Sequence, residues 1–187
     1  MHKDLKRFIE IAGLALEKED RQFRSDIKAN QTGYPQQKGG ILRIQNERYY
    51  QFIIVRALTS SYPYDAKVEL NSHDLVLRHP DPPHYWFTVV EMKKWMTPQG
   101  QEEIPGIVDD INTLHSVSAD HALLLIISVN PRGDIKINLP DLTDKINNHP
   151  SSAKIKLNYK YWEKHLFATE NKKGDKVEFW VAGYEVK

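Results

Sequence analysis

At 187 residues, with 40% hydrophobic and 27% charged side chains, the chain is long enough for one domain with its own core and needs no covalent staple. It has no cysteine, which excludes disulfides, thiolate metal sites and a cysteine nucleophile. Its 26 basic and 25 acidic residues leave a net charge of +1, so nucleic acid would have to be held by local basic patches rather than bulk charge.

Leu5, Phe8, Ile9, Ala12 and Leu16 recur at helical spacing, predicting one long helix from residue 3 to about 28. Its second half, Glu17 to Lys28, is so charged that a solvated end is expected. A polar loop follows between Asn30 and Gly40, marked by Gly33, Pro35 and Gly39-Gly40. Asn46 is a natural N-cap for a second helix to about Leu58. Tyr49, Phe52, Ile53, Ile54, Val55 and Ala57 make that helix apolar over much of its circumference, which predicts burial.

Three strands are expected next. Ala66 to Leu70 and His73 to Arg78 alternate, with Asn71-Ser72 as the turn between them. In the second, Asp74, Val76 and Arg78 share one face. A proline-rich loop, residues 79–83, stops it. Tyr85 to Trp95 reads as a long third strand. A helix fits Ile104 to Val117, with Ile107, Val108, Ile111 and Leu114 in register; Asp109-Asp110 is expected on its solvated face, although one of the two carboxylates could approach a metal. Ala122 to Val129 is uninterruptedly apolar, as suits a strand covered on both faces in a parallel sheet. A short helix is predicted at Leu142 to Asn148. Beyond it the chain is β-rich: Lys154 to Tyr161 alternates, and His165 to Thr169 with Val177 to Val186 reads as a hairpin.

No apolar run approaches the roughly 20 residues of a membrane span. The N-terminus lacks the apolar stretch of a signal peptide, so a cytoplasmic location is expected. The chemistry concentrates at Val90-Glu91-Met92-Lys93. Alternation along a strand puts Glu91 and Lys93 on one face, with Val89 and Phe87 sharing it. An acid and a base at the end of an apolar strand are costly unless they meet a partner or ligand. A hairpin turning around residues 79–84 would set Asp74 beside Glu91, and the repulsion of two carboxylates would be relieved by a divalent cation. Glu47, in the first turn of the second helix, could supply a third acid. Gln51 shares its face four residues on, and is either site contact or plain helix surface.

At these residues the chain resembles the PD-(D/E)XK phosphodiesterases, the restriction-endonuclease-like nucleases. Asp74 matches the acid of the motif's first half, Glu91-Met92-Lys93 its E-x-K half and Glu47 its helix acid, although His73 stands where a proline is often found. The match covers residues 45–130 of a single domain spanning 1–187. The N-terminal helix and loop, 1–40, and a C-terminal extension, 131–187, lie outside it. The resemblance implies an α/β restriction-endonuclease-like core with a mixed sheet flanked by helices. It further implies an endonuclease that cleaves nucleic acid, DNA foremost, with Mg²⁺ or Mn²⁺ on Asp74, Glu91 and Glu47 and with Lys93 as the catalytic lysine. A homodimer would also follow from it.

Substrate contacts are expected at Lys94 and Trp95 and along the lysine face Lys154, Lys156 and Lys160, which could equally be a strand edge blunted against aggregation. Three readings compete with the enzyme. Glu91 and Lys93 could be a solvated ion pair, and Asp74 a turn residue. The chain could be an inactive member of the same fold that binds protein or nucleic acid. It could also be an unrelated α/β interaction domain. His73, His79 and His84 cluster around one loop but match no zinc spacing.

Overall fold

A computed structural model describes residues 1–30, 41, 46–83, 85–95, 103–128, 135–150, 157, 161–170 and 176–186. Among these residues the chain forms four helices and one six-stranded mixed sheet. The elements run α1 (Lys3–Asn30), α2 (Glu47–Leu58), β1 (Asp65–Leu70), β2 (His73–Arg78), β3 (Trp86–Trp95), α3 (Ile104–His115), β4 (His121–Ser128), α4 (Ile135–Asn147), β5 (Tyr161–Glu170) and β6 (Lys176–Val186). The strand order is β1-β2-β3-β4-β6-β5. β3 and β4 are parallel and every other pair is antiparallel. The C-terminal hairpin is therefore no appendage: β6 pairs along most of β4. No helix among the described residues is long and apolar enough to cross a membrane.

Apolar periodicity explains the layering. One face of the sheet, with Leu75, Val90, Met92, Leu123 and Leu125, packs on Leu5, Phe8, Ile9 and Leu16 of α1 and on Tyr50, Ile53 and Ile54 of α2. The other face, with Val76, Val89, Leu124 and Ile126, packs on Ile107, Val108 and Ile111 of α3 and on Leu142 and Ile146 of α4. β4 lies between both layers and is buried from Ala122 to Ser128, which accounts for its unbroken apolar run. Each fully buried Leu or Ile there contributes about 1.5–3 kcal/mol.

Asn46 caps α2 as expected, its side chain accepting the Arg48 N–H at 3.0 Å. Asn71 and Ser72 have φ of 53° and 67°, the left-handed pair that a two-residue hairpin turn requires. The crossover from β3 to β4 runs through α3, whose first turn contains Pro105.

Several expectations change. Phe87 packs in the α1–α2 core rather than on the Glu91 face, because the β2–β3 register shifts between Leu77 and Arg78 and the extra residue in β3 reverses the alternation before Val89. Phe52 is 58% exposed, so α2 is buried along a stripe and not around its circumference. The charged half of α1 is turned inward in part. Asp20 is fully buried and accepts the Ile41 N–H, while Glu19 meets Tyr49 and Arg56, and Glu17 meets His165. α3 ends at His115, short of Val117. α4 begins at Ile135, earlier than the expected Leu142, and takes Pro140 inside it.

Candidate active site

α2, β2, β3 and α3 meet at the end of the sheet where β3 loses its apolar character. Their side chains line a cleft of about 750 Å³ that includes Glu47, Gln51, Asp74, Lys93 and Lys94. The hairpin pairing of Leu75 with Val90 sets Asp74 across from Glu91. Asp74 uses both carboxylate oxygens: Oδ2 accepts the Met92 N–H at 2.7 Å, and Oδ1 accepts Gln51 Nε2 at 2.8 Å. Glu47 reaches across from the first turn of α2, Oε1 accepting the Lys94 N–H at 3.1 Å and Oε2 lying 3.9 Å from Lys93 Nζ. Glu47, Asp74 and Lys93, from three separate elements, thus border one space, with Glu91 buried opposite Asp74.

One partner was not anticipated, and a second was expected only as an alternative. His73 Nδ1 lies 2.8 Å from Glu91 Oε1, with both side chains buried. Asp110 of α3 stands 3.2 Å from Lys93 Nζ, which places it at the site and not on a solvated face. The available signal was its position: Asp110 adjoins Ile111 and follows Ile107 by three residues, at the margin of the stripe that α3 buries. Gln51, by contrast, is site and not surface: it is 2% exposed.

The charges perturb one another. Burial pushes the Glu91 carboxyl above its ordinary value and Asp74 and Asp110 push it further, while His73 pulls it back. Asp110 is raised to about 6, chiefly by burial, with Lys93 opposing and Asp74 and Glu47 adding. For Lys93, burial alone would favour the neutral amine, but Asp110 and Glu47 outweigh it and hold the ammonium above the usual lysine value. Lys94 goes the other way: burial lowers it despite Glu47 and Glu103. Its ammonium sits 4.6 Å from the centre of the Tyr50 ring.

Among the described residues no three acids or histidines close on a single point as a ready metal cage. Mg²⁺ does not require one, since it binds through one or two carboxylates and keeps several waters for phosphate oxygens to displace. The donors present are hard oxygens, Asp74 and Asp110 raise the Glu91 carboxyl, and the buried Gln51 Oε1 has no hydrogen-bond partner among the described residues. Hard oxygens of this kind suit Mg²⁺ or Mn²⁺ better than a softer ion.

The remaining expected contacts divide. Lys94 lines the cleft. Trp95 does not: it is 1% exposed and packed in the α3–α4 core, because the alternation through Glu91 and Lys93 carries it on beneath α3. Lys154, Lys156 and Lys160 lie outside the described residues, as does His84. His79 pairs with Asp120 at 3.3 Å while His73 serves Glu91, so these two histidines are committed to different partners. No protein-family model matches the chain, and no curated protein or solved structure matches it significantly.

Proposed function

We propose that this chain is a restriction-endonuclease-like nuclease that hydrolyses phosphodiester bonds in nucleic acid, with DNA the expected substrate and Mg²⁺ or Mn²⁺ the cofactor. The observation that carries the reading is the meeting of Glu47, Asp74 and Lys93 at one cleft from α2, β2 and β3, with the buried Glu91 paired across the hairpin from Asp74 and raised by its charge. The element order α2-β1-β2-β3-α3-β4 is also the helix, three antiparallel strands, helix, strand that the resemblance implies.

The cleft's lining includes four acids (Glu47, Glu69, Asp74 and Glu103) against three cations (Arg48, Lys93 and Lys94). Such a lining repels a phosphodiester until a divalent cation offsets it. The cation would polarise the phosphate and lower the pKa of its water. Lys93, held charged by Asp110 and Glu47, would stabilise the extra negative charge on the phosphate as water adds and the P–O ester bond breaks. Asp74 and Glu91 would hold the ion.

The test is cleavage of plasmid, single-stranded DNA and RNA in Mg²⁺, Mn²⁺ and EDTA. Glu91→Ala and Lys93→Ala should each abolish a metal-dependent activity while circular dichroism and urea unfolding stay close to the parent's. Activity persisting in both variants would refute the mechanism.

One observation favours a second reading, a binding module on the same fold. Asp74 and Glu91 already have protein donors in Gln51, Met92 and His73, so neither carboxylate lacks a partner without a cation. That reading expects nucleic-acid binding that survives EDTA, with no cleavage in any metal.

A further inference from the structure

Gln51 is 2% exposed and lines the cleft in the middle of α2. Its Nε2 donates to Asp74 Oδ1 at 2.8 Å, which fixes the orientation of the amide. The carbonyl Oε1 is left buried with no hydrogen-bond partner among the described residues. A buried acceptor without a donor is unfavourable, and natural structures keep few of them without a role. Reversing the amide would not help, because the carbonyl oxygen would then face the carboxylate of Asp74. The acceptor therefore needs a donor or a cation from beyond the described residues, and the cleft that Gln51 lines is bordered by acids.

Resting on the metal-dependent reading above, we infer that Gln51 is a neutral oxygen donor of the cation site. Its Oε1 enters the ion's shell, directly or through one bound water, while its Nε2 holds Asp74. One amide thus ties the acid on β2 to the ion and explains why a glutamine, with a donor and an acceptor on one planar group, stands where the apolar stripe of α2 meets the cleft. A neutral donor also lets the site add an oxygen ligand without adding another carboxylate beside Glu91 and Asp110, both of which the Asp74 charge already raises.

Two roles for Gln51 make opposite predictions. If it only orients Asp74, Gln51→Leu and Gln51→Glu both remove the Nε2 donor and both weaken ion binding. If Oε1 belongs to the ion's shell, Gln51→Leu weakens binding and Gln51→Glu strengthens it, each on the order of tenfold, the usual weight of such partners. The probe is Mn²⁺ alone, titrated into the full chain and followed by electron paramagnetic resonance and calorimetry, with urea unfolding of each variant to verify the fold. Arg48→Gln is the control for charge, since it makes the cleft more negative by one unit without adding a ligand. The inference expects Gln51→Glu to tighten Mn²⁺ binding clearly more than Arg48→Gln does. Weakening in both Gln51 variants, or equal tightening in Gln51→Glu and Arg48→Gln, would overturn the inference and leave the metal site standing. A parent chain that binds no Mn²⁺ at millimolar concentration would overturn both.

Discussion

Replacing Asp110 with asparagine should stabilise the fold, and the gain should grow with pH. Burial raises the Asp110 carboxyl from 3.8 to about 6 even with Lys93 3.2 Å away. A group whose folded pKa is raised favours the folded state while it is protonated in both states, and loses that advantage as pH rises through the folded value. Below 3.8 the carboxyl is neutral folded and unfolded. Between 3.8 and about 6 the unfolded chain ionises first, and stability falls. Above that the full penalty is present, at most about 3 kcal/mol from 1.36 kcal/mol per pKa unit. Asparagine keeps the shape and never ionises. The assay is urea unfolding of parent and Asp110→Asn at pH 4, 5, 6 and 7, taking the difference at each pH so that other titrating groups cancel. The variant's relative stability should rise by about 1–3 kcal/mol between pH 4 and 7. A difference that stays flat, or that falls with pH, would mean the Lys93 pair outweighs burial and would refute the reasoning.

The other predictions concern packing and the cleft wall. A methyl group at Gly13 of α1 would overlap the buried His165 ring, which is fixed between Glu17 and Phe179, so Gly13→Ala should cost about 1–3 kcal/mol. Calorimetry should show a Tm lower by several degrees, and an unchanged Tm would refute the close approach. Trp95→Ala should cost about 3–5 kcal/mol, since it empties a core position. Trp95→Phe should retain whatever nucleic-acid affinity the parent has; a selective loss of affinity at constant stability would put the indole back in contact with substrate. Lys94→Met keeps an apolar stem near Tyr50 but removes a charge from the cleft, so DNA binding measured by fluorescence anisotropy should weaken and its salt dependence should become shallower. An unchanged salt slope would mean Lys94 meets no phosphate.

Elements with one dominant period could be read from the sequence. Leu5, Phe8, Ile9, Ala12 and Leu16 place α1 on the sheet, and the apolar run of β4 announces a strand covered on both sides. Asp74 and Glu91 come together because a tight turn and a proline-rich loop bracket β2, which fixes its antiparallel pairing to β3. What escaped the sequence depends on a single residue's insertion or on contacts between distant segments. One extra residue in β3 moves Phe87 to the opposite core, and no local pattern marks where a strand bulges. Glu17, Glu19 and Asp20 look like solvent-facing charges until His165, Arg56 and the Ile41 amide are brought to them. Asp109-Asp110 reads first as an acidic surface with one carboxylate able to reach a site, and the packing of α3 against β3 decides that it is Asp110 that meets Lys93.

The position of the charged groups bears on the proposed chemistry. β3 is apolar through Val90 and then alternates an acid, a thioether and two lysines before returning to the buried Trp95. The fold could have ended that strand with Val or Ile and gained stability; instead it accepts a raised Glu91, a raised Asp110 and a lowered Lys94 within one cleft. Each shift records a group held in the less favourable of its two surroundings, and the core on both faces of the sheet carries that cost. The location is the end toward which parallel strands β3 and β4 both run, where sheets of this kind leave a crevice for ligands. The N-terminus of α2 opens onto the same cleft through Asn46 and Glu47. Ordinary ion pairs need none of this convergence, because solvated surface positions supply them at little cost. The proposed ligand, a divalent cation with a phosphodiester, carries charge of both signs and would meet the acids and the lysines together, offsetting what the fold alone gives up.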